Sequence, residues 1–358
     1  MAQLCQNAED VRDGQWRPSS LSTPPCCSSD NLRSRSRPAQ CSKDSQNLAP
    51  RGVITSELST ERLNVTTLAH IGHGACSPSC SDFNDGSLEW VPRTCALPQW
   101  DARRFCTLLG QRRLLLVGDS TMEQTGSALV ALVQWGHLRD GGVAAGNASC
   151  HRQISIVHSD TLIARHLGRF NRGIFGGWLR AVARFRRAPG GLLVVLHASA
   201  HVYGSANFSA LLSEVAAGHT KRFPDVPLLW KTSAGAGCDA HPHDGPPPYA
   251  APYWDALLAR TSTWNWPELW AQDELARRFW AHHHGACVLD MAPLHRRIDA
   301  RVASPHGVRG WDEWNETKPR SDGFRDCLHL CGVGVHRLFA RLLLRQLLLG
   351  GPCAPSLT

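Results

Sequence analysis

This protein of 358 residues is 42% hydrophobic and 19% charged, and its 38 Lys and Arg residues against 30 Asp and Glu residues give a formal net charge of +8. Its 13 Trp and 10 Phe residues need a packed interior, which excludes collagen-like, coiled-coil and wholly disordered chains. The basic residues are scattered, with no run of five, so the positive charge does not indicate a nucleic-acid partner.

The N-terminal part of the chain differs in composition from the rest. Residues 1–75 contain one aromatic residue, Trp16, among Ser, Pro and Arg clusters, and such a segment cannot bury enough apolar surface to fold. We therefore expect a leader without a fold over 1–75, followed by one domain over 76–353. The first 30 residues have no apolar stretch typical of a signal peptide, and no segment has the length and apolarity of a membrane span.

Beyond the leader, short apolar runs alternate with stretches of helical periodicity. Strands are predicted at 114–117, 154–157, 192–196, 226–230 and 287–289. Helices are predicted at 121–135, about 174–187, 208–217, 267–284 and 334–349. Strands that alternate with helices form a parallel sheet with helices on both faces, so we expect an α/β fold of three layers, α/β/α. The ligand site of such a sheet lies at the carboxyl ends of its strands.

The cysteine content bears on the compartment. The chain has 14 Cys residues, an even number, which is typical of paired disulfides in an oxidising environment. Four glycosylation sequons, at Asn64, Asn147, Asn207 and Asn315, also favour the secretory pathway. The lack of a visible signal peptide leaves the alternative that the protein is not secretory and that many thiols stay reduced.

The first predicted strand ends in Gly118-Asp119-Ser120, at the point where a helix begins. A serine on such a turn directs its hydroxyl into the cleft at the sheet edge, and the N–H groups at the helix start are suited to stabilise an oxyanion. Ser120 could equally act as an ordinary helix N-cap.

A second motif, Asp326-Cys327-Leu328-His329, lies near the chain end. An Asp three residues before a His can orient the imidazole while the other ring nitrogen reaches a hydroxyl, and a serine nucleophile needs both of these supporting roles. Because Ser120 follows the first strand and the Asp-x-x-His motif follows the last, we expect them to converge at the carboxyl edge of the sheet.

Several stretches taken together resemble one known family. They are Cys80-Ser81-Asp82-Phe83-Asn84-Asp85-Gly86, Trp90, Pro92, Cys95, Leu97-Pro98, Asp101, Gly118-Asp119-Ser120 and Asp326-Cys327-Leu328-His329-Leu330-Cys331, with a weaker match at Leu289-Asp290-Met291, Pro293-Leu294, Arg297 and Asp299. In these motifs the chain is similar to the plant-type polysaccharide O-acetyltransferases of the trichome birefringence-like group, in the PC-esterase branch of the SGNH hydrolase superfamily. The resemblance covers about residues 76–350 and implies an SGNH-hydrolase-like fold.

Carried over position by position, the resemblance implies roles for three residues. Ser120 would be the nucleophile, His329 the general base and then the acid, and Asp326 the residue that orients His329. A covalent acetyl-serine would link two half-reactions, in which an acetyl donor and a polysaccharide or oligosaccharide acceptor bind in turn. The resemblance implies no bound cofactor, and it places the enzyme in the secretory pathway, in the Golgi lumen.

One stretch departs from the family pattern. Ala198-Ser199-Ala200-His201 stands where the family usually carries an Asn-x-Gly-His sequence. Ala198 cannot donate a side-chain hydrogen bond to an oxyanion, so Ser199, His201 or main-chain N–H groups near Gly118 and Asp119 would have to supply it. Losing one such donor typically costs roughly 10² to 10³ in rate.

Two rival functions remain beside the acetyltransferase. The same Ser-His-Asp site could serve a carbohydrate acetylesterase, in which water takes the acetyl group in place of a sugar hydroxyl. The missing Asn also suggests a non-catalytic glycan-binding protein that keeps the fold, although Ser120, Asp326 and His329 argue against it.

Other side chains have weaker functional signatures. The histidines at 282–284 and the pair His241 and His243 lack the spacing of a metal site, so no metal is expected. Cys327 and Cys331 flank His329, and disulfides from them would hold the catalytic loop, each contributing roughly 2 to 4 kcal/mol. Aromatic faces suited to sugar stacking, or to core packing, are those of Trp264, Trp266, Trp311 and Trp314.

Overall fold

The computed structural model of the protein describes residues 3–19, 88–139, 150–163, 177–235, 268–283, 286–296, 328–330 and 335–350. Its strands are β1 (Gly14–Pro18), β2 (Leu88–Pro92), β3 (Arg113–Gly118), β4 (Ile154–His158), β5 (Leu192–Leu196), β6 (Leu228–Lys231) and β7 (Ala286–Leu289). Its helices are α1 (Ala8–Arg12), α2 (Ala102–Leu109), α3 (Ser120–Arg139), α4 (Gly177–Phe185), α5 (Ser205–Arg222), α6 (Leu269–Ala281) and α7 (Arg337–Leu348). Short 3₁₀ helices cover Cys150–Gln153 and Ala292–Arg296.

Strands β3 to β7 form one parallel sheet in the order β4-β3-β5-β6-β7. The first strand of this sheet along the chain, β3, lies between β4 and β5. The chain passes from β3 to β4 on one side and then crosses to β5 on the other side, so the strand order reverses at β3. In doubly wound sheets this reversal opens a crevice at the carboxyl ends of the strands, where ligands bind. Ser120, the first residue of α3, lies at this point.

Helices cover both faces of the sheet, as the alternating pattern predicts. Leu114 and Leu116 of β3 belong to a core cluster with residues of α2, α3 and α7, whereas Leu115 and Val117 belong to a second cluster with residues of α4, α5 and α6. Side chains of a strand alternate between the two faces, so β3 is buried on both sides. The three-layer α/β/α prediction is confirmed.

Residues 3–19 fold against the domain, which corrects the expectation of a leader without a fold for this segment. Strand β1 pairs antiparallel with β2, the ring of Trp16 lies 5.5 Å from that of Trp90, and a disulfide joins Cys5 to Cys95. The average composition of residues 1–75 did not reveal that this segment is ordered, because one Trp and one disulfide suffice to anchor so short a stretch. Residues 20–87 lie outside the described residues, so the rest of the leader and the domain start at residue 76 stay predictions.

Helix α7 is buried in the core, and two of its arginines donate hydrogen bonds to main-chain carbonyls of the N-terminal segments. The guanidinium of Arg341, which is 5% exposed, donates hydrogen bonds to the carbonyls of Trp90, Leu97 and Pro98 at 2.8, 3.1 and 2.8 Å. Arg345 donates to the carbonyl of Cys5. Within the described ranges, no helix combines the length and apolarity needed to cross a bilayer.

A second disulfide, Cys106–Cys150, joins α2 to the turn that leads into β4. Cys287 of β7 is also disulfide-bonded. These bonds fit the oxidising compartment that the cysteine content predicts.

Candidate active site

A glycine ends strand β3 because the neighbouring strand passes too close for a side chain. A Cβ at Gly118 would lie 2.7 Å from the carbonyl oxygen of His197 and 2.8 Å from the Cβ of Met122. The glycine therefore lets the end of β3, the start of α3 and the end of β5 approach one another. This approach puts Ser120 at the carboxyl edge of the sheet.

The structure brings Ser120 and His329 together although 209 residues separate them in sequence. The Nε2 atom of His329 lies 2.9 Å from the Oγ atom of Ser120, and both residues are partly buried. Leu328 and Leu330, on either side of the histidine, are 4% and 3% exposed. A hydroxyl within hydrogen-bond reach of an imidazole is the arrangement of an activated serine nucleophile and its base.

Asp326 lies outside the described residues, so its predicted role in orienting His329 stays a prediction.

The helix cap at this turn is Asp119, so the alternative in which Ser120 is the cap is wrong. The Oδ1 atom of Asp119 accepts hydrogen bonds from the N–H and the hydroxyl of Thr121, at 3.0 and 2.7 Å, and the main-chain oxygen of Asp119 accepts from the N–H groups of Met122 and Glu123. A side chain that caps the helix from the preceding residue leaves the Ser120 hydroxyl to His329.

Asp119 is completely buried, and it stays charged. Burial alone would raise the pKa of Asp119, but the neighbouring side chains of His197, His201 and Lys231 and the Thr121 hydrogen bond outweigh it and hold the pKa well below its usual range. Asp119 is predicted as an oxyanion or substrate residue, but its burial removes it from contact with a substrate. Its observed position is that of a buried anion next to Ser120.

His197 of the β5 end is a buried neutral imidazole in the same network. Burial, followed by the Lys231 ammonium, lowers the pKa of His197 to about 4. Its Nδ1 lies 2.9 Å from the carbonyl of Lys231, so this nitrogen carries the proton and Nε2 is an acceptor. Nε2 lies 2.8 Å from Thr121 Oγ1 and 3.2 Å from Ser199 Oγ.

Ser199, a predicted oxyanion candidate, is 2% exposed and belongs to this network. Because Nε2 of His197 is an acceptor, we infer that the Ser199 hydroxyl donates to it. The Thr121 hydroxyl has one proton and two acceptors beside it, Asp119 Oδ1 at 2.7 Å and His197 Nε2 at 2.8 Å. Ala198, at the position of the family Asn, packs in the second core cluster at 2% exposure.

His201, the remaining predicted candidate, lies at the edge of a charged cluster. Its Nε2 is 3.6 Å from Asp160 Oδ1. The neighbouring His158 contacts Glu123 Oε1 through Nδ1 at 3.0 Å and Asp160 Oδ1 through Nε2 at 2.8 Å. Burial would lower the pKa of His158, but the two carboxylates outweigh it and raise the pKa to about 10, so this imidazole is a cation at neutral pH.

Sequence reasoning missed one residue that bears directly on the pair, Gln124. Its Nε2 donates to the carbonyl of Leu330 at 2.6 Å, and its Oε1 accepts from the Leu330 N–H at 3.0 Å. The available sequence signal was spacing, because residues four apart on a helix share a face and Gln124 is four residues after Ser120.

Of the residues with weaker signatures, the structure describes His282 and His283. The ring of His283 stacks on Phe279 at 4.1 Å, as a helix-end histidine would, and the part of the chain that the structure describes contains no set of three metal-ligating side chains. The following predicted residues lie outside the described ranges: His241, His243, Trp264, Trp266, His284, Trp311, Trp314, Cys327 and Cys331.

A 45-residue stretch of the chain matches plant proteins. It is 44% identical to protein trichome birefringence-like 36 of Arabidopsis thaliana and 44% identical to xylan O-acetyltransferases 3 and 4 of Oryza sativa subsp. japonica. The stretch is 13% of this chain, 12% of the Arabidopsis protein and 10% of each rice protein. No family model matches the chain. The resemblance drawn from the motifs is thus confirmed over this stretch.

Proposed function

We propose that the protein is a serine-dependent O-acetyltransferase that moves acetyl groups onto polysaccharide hydroxyls. The observation that carries this proposal is the 2.9 Å approach of His329 Nε2 to Ser120 Oγ at the carboxyl edge of the sheet. The names of the rice relatives, which are xylan O-acetyltransferases, support acetyl transfer and a xylan-like acceptor.

In the proposed first half-reaction, the Ser120 oxygen attacks the carbonyl carbon of an acetyl donor while His329 Nε2 takes the hydroxyl proton. The tetrahedral intermediate then collapses, the bond to the leaving group breaks, and His329 returns the proton to that group. The product is an acetyl ester of Ser120. In the second half-reaction a sugar hydroxyl attacks this ester as His329 removes its proton, and Ser120 recovers the proton when it leaves.

Asp326 would hold the other nitrogen of the His329 ring and stabilise the imidazolium that forms in each half-reaction. This role remains a proposal, carried by the Asp-x-x-His motif and the family resemblance.

We propose that a main-chain group stabilises the oxyanion. The Ser199 hydroxyl is directed to His197, and the N–H groups of residues 121–123 are bound to Asp119. We assign the N–H of Ser120, at the positive end of the α3 dipole, as the donor. His201, partly buried beside Asp160, is the side-chain candidate that stays in the proposal.

The proposed compartment is the secretory pathway, in the Golgi lumen. The disulfides Cys5–Cys95 and Cys106–Cys150 support an oxidising environment. The family resemblance supports the Golgi.

The test compares the wild type with Ser120→Ala, using an activated acetyl ester and xylan oligosaccharides. Free acetate and the mass of the oligosaccharide are followed together. Ser213→Ala is a matched control, since this serine lies on the exposed side of α5 and its hydroxyl bonds only the carbonyl of Ser209 among the described residues. We expect acetylated oligosaccharide from the wild type and from the control, and none from Ser120→Ala.

Two results would contradict the proposal. Release of acetate alone, with no gain of mass on the oligosaccharide, would favour the acetylesterase. Transfer at the wild-type rate by Ser120→Ala would show that Ser120 is not the nucleophile.

A further inference from the structure

The amide of Gln124 makes a two-point contact with the segment that carries His329. Gln124 is 4% exposed, its Nε2 donates to the Leu330 carbonyl at 2.6 Å, and its Oε1 accepts from the Leu330 N–H at 3.0 Å. The two residues are 206 positions apart in sequence. One planar side chain therefore satisfies both main-chain groups of the residue next to His329, as a neighbouring strand would do in a sheet.

This contact fixes direction as well as position. Burial of Leu328 and Leu330 holds the segment against the core, but apolar packing depends weakly on orientation. A pair of hydrogen bonds weakens steeply when its angles change, so it fixes the two peptide groups that flank Leu330. The first of these groups joins His329 to Leu330, and its orientation determines where the His329 side chain can reach.

Gln124 and Ser120 also belong to the same rigid element. Both lie on α3, where Gln124 is one turn beyond Ser120. The nucleophile and the anchor of its base therefore cannot move independently unless the helix itself distorts.

We propose that Gln124 is a positioning residue that holds His329 Nε2 at Ser120 Oγ through the main chain of Leu330. This inference rests on the proposed function, because it assigns Gln124 to the pair that the function uses. Gln124 does not touch the reacting atoms. It acts by keeping the hydroxyl and the imidazole at reacting distance, and a displacement of about 1 Å in such a pair can cost on the order of 10² in rate.

The first variant, Gln124→Ala, removes both hydrogen bonds. We expect kcat to fall by roughly 10- to 100-fold while KM changes by less than about twofold, because substrate contacts are unaffected. Gln153→Ala is the matched control. The Gln153 side chain also donates to a main-chain carbonyl, that of Gly110 at 2.9 Å. Gln153 precedes the first residue of β4, so it lies at the amino ends of the strands, whereas Ser120 lies at their carboxyl ends. We expect the control to keep the wild-type kcat.

The second variant, Gln124→Glu, keeps the shape of the side chain and replaces the Nε2 donor by a carboxyl oxygen. An ionised carboxylate would set an oxygen against the Leu330 carbonyl, whereas a protonated one would donate to it as the amide does. Burial beside that carbonyl raises the pKa of the new carboxyl. The ratio of the Gln124→Glu kcat to the wild-type kcat should therefore rise as the pH falls from about 8 to about 5. A purely structural glutamine would not give this pH dependence of kcat below the unfolding temperature.

A result that overturns the inference is a Gln124→Ala protein with wild-type kcat, whatever happens to its melting temperature. A Gln124→Glu ratio that does not change with pH also overturns it. If the wild type itself shows no Ser120-dependent turnover, the proposed function fails, and the position of His329 is then followed by NMR. The ring signal of His329 should change on Ser120→Ala in the wild-type background and stay unchanged in the Gln124→Ala background. An equal change in both backgrounds would refute the positioning role.

Discussion

Replacing Arg341 by Met tests how the N-terminal strands are held to the α/β domain. The Arg341 guanidinium donates to two buried carbonyls and to the partly buried carbonyl of Pro98, and Met fills similar space without a donor. Three acceptors left without this donor cost about 1 to 2 kcal/mol each, or roughly 3 to 6 kcal/mol together. Burial lowers the pKa of Arg341, so removing the charge recovers part of this cost. We therefore expect a loss near the low end, about 3 kcal/mol.

The assay is chemical denaturation followed by far-UV circular dichroism, with a thermal melt beside it. A loss of about 3 kcal/mol corresponds to a fall of roughly 6 to 12 °C in melting temperature for a domain of this size. Arg345→Met is the matched control, because Arg345 is also buried on the same helix but donates to one carbonyl, that of Cys5, among the described residues. A loss for Arg341→Met below about 1 kcal/mol, or no larger than that of the control, would refute the reasoning.

Two further variants test the electrostatics and the packing around Ser120. The pKa of His158 is raised to about 10 from 6.5, so its ion pairs with Glu123 and Asp160 stabilise the fold fully below pH 6.5 and lose this effect as the pH rises through 10. The melting temperature of His158→Gln should thus lie furthest below the wild type near pH 6, and the gap should shrink towards pH 10; a gap independent of pH would count against the charged imidazole. Ala198→Asn should lower stability by about 1 to 3 kcal/mol with no gain in acetyl transfer, because position 198 packs in the core. A tenfold faster transfer would show instead that position 198 faces the oxyanion.

The strands and their layers were predictable because of how parallel sheets are buried. Strands covered on both faces are apolar at every position, so runs such as 192–196 stand out from amphipathic helices. The predicted run 226–230 begins two residues before β6, which starts at Leu228. Val226 instead closes a turn onto Phe223, and an apolar run does not distinguish these two positions.

The pairing of Ser120 with His329 was also within reach of sequence. It required only that side chains following the first and last parallel strands meet at the carboxyl edge. The role of Asp119 as the helix cap could not be predicted from the sequence, because Asp and Ser are both good caps and the choice between them depends on the local backbone.

Contacts that join distant parts of the chain escaped prediction for a different reason. The Gln124 contact with Leu330 joins residues 206 positions apart, and which residues meet there depends on how α3 and the C-terminal segment pack. The anchoring of residues 3–19 depends on the pairing of Cys5 with Cys95, which sequence alone leaves among many possibilities.

The most direct test of the central claim is to trap the acetyl group on the protein. The wild type is mixed with an activated acetyl ester, quenched in acid, digested and examined by mass spectrometry. We expect one acetyl group on Ser120, which disappears when xylan oligosaccharide is added before the quench, as acetylated oligosaccharide forms. Acetylated oligosaccharide formed while Ser120 carries no acetyl group at any time point would contradict the acetyl-serine mechanism.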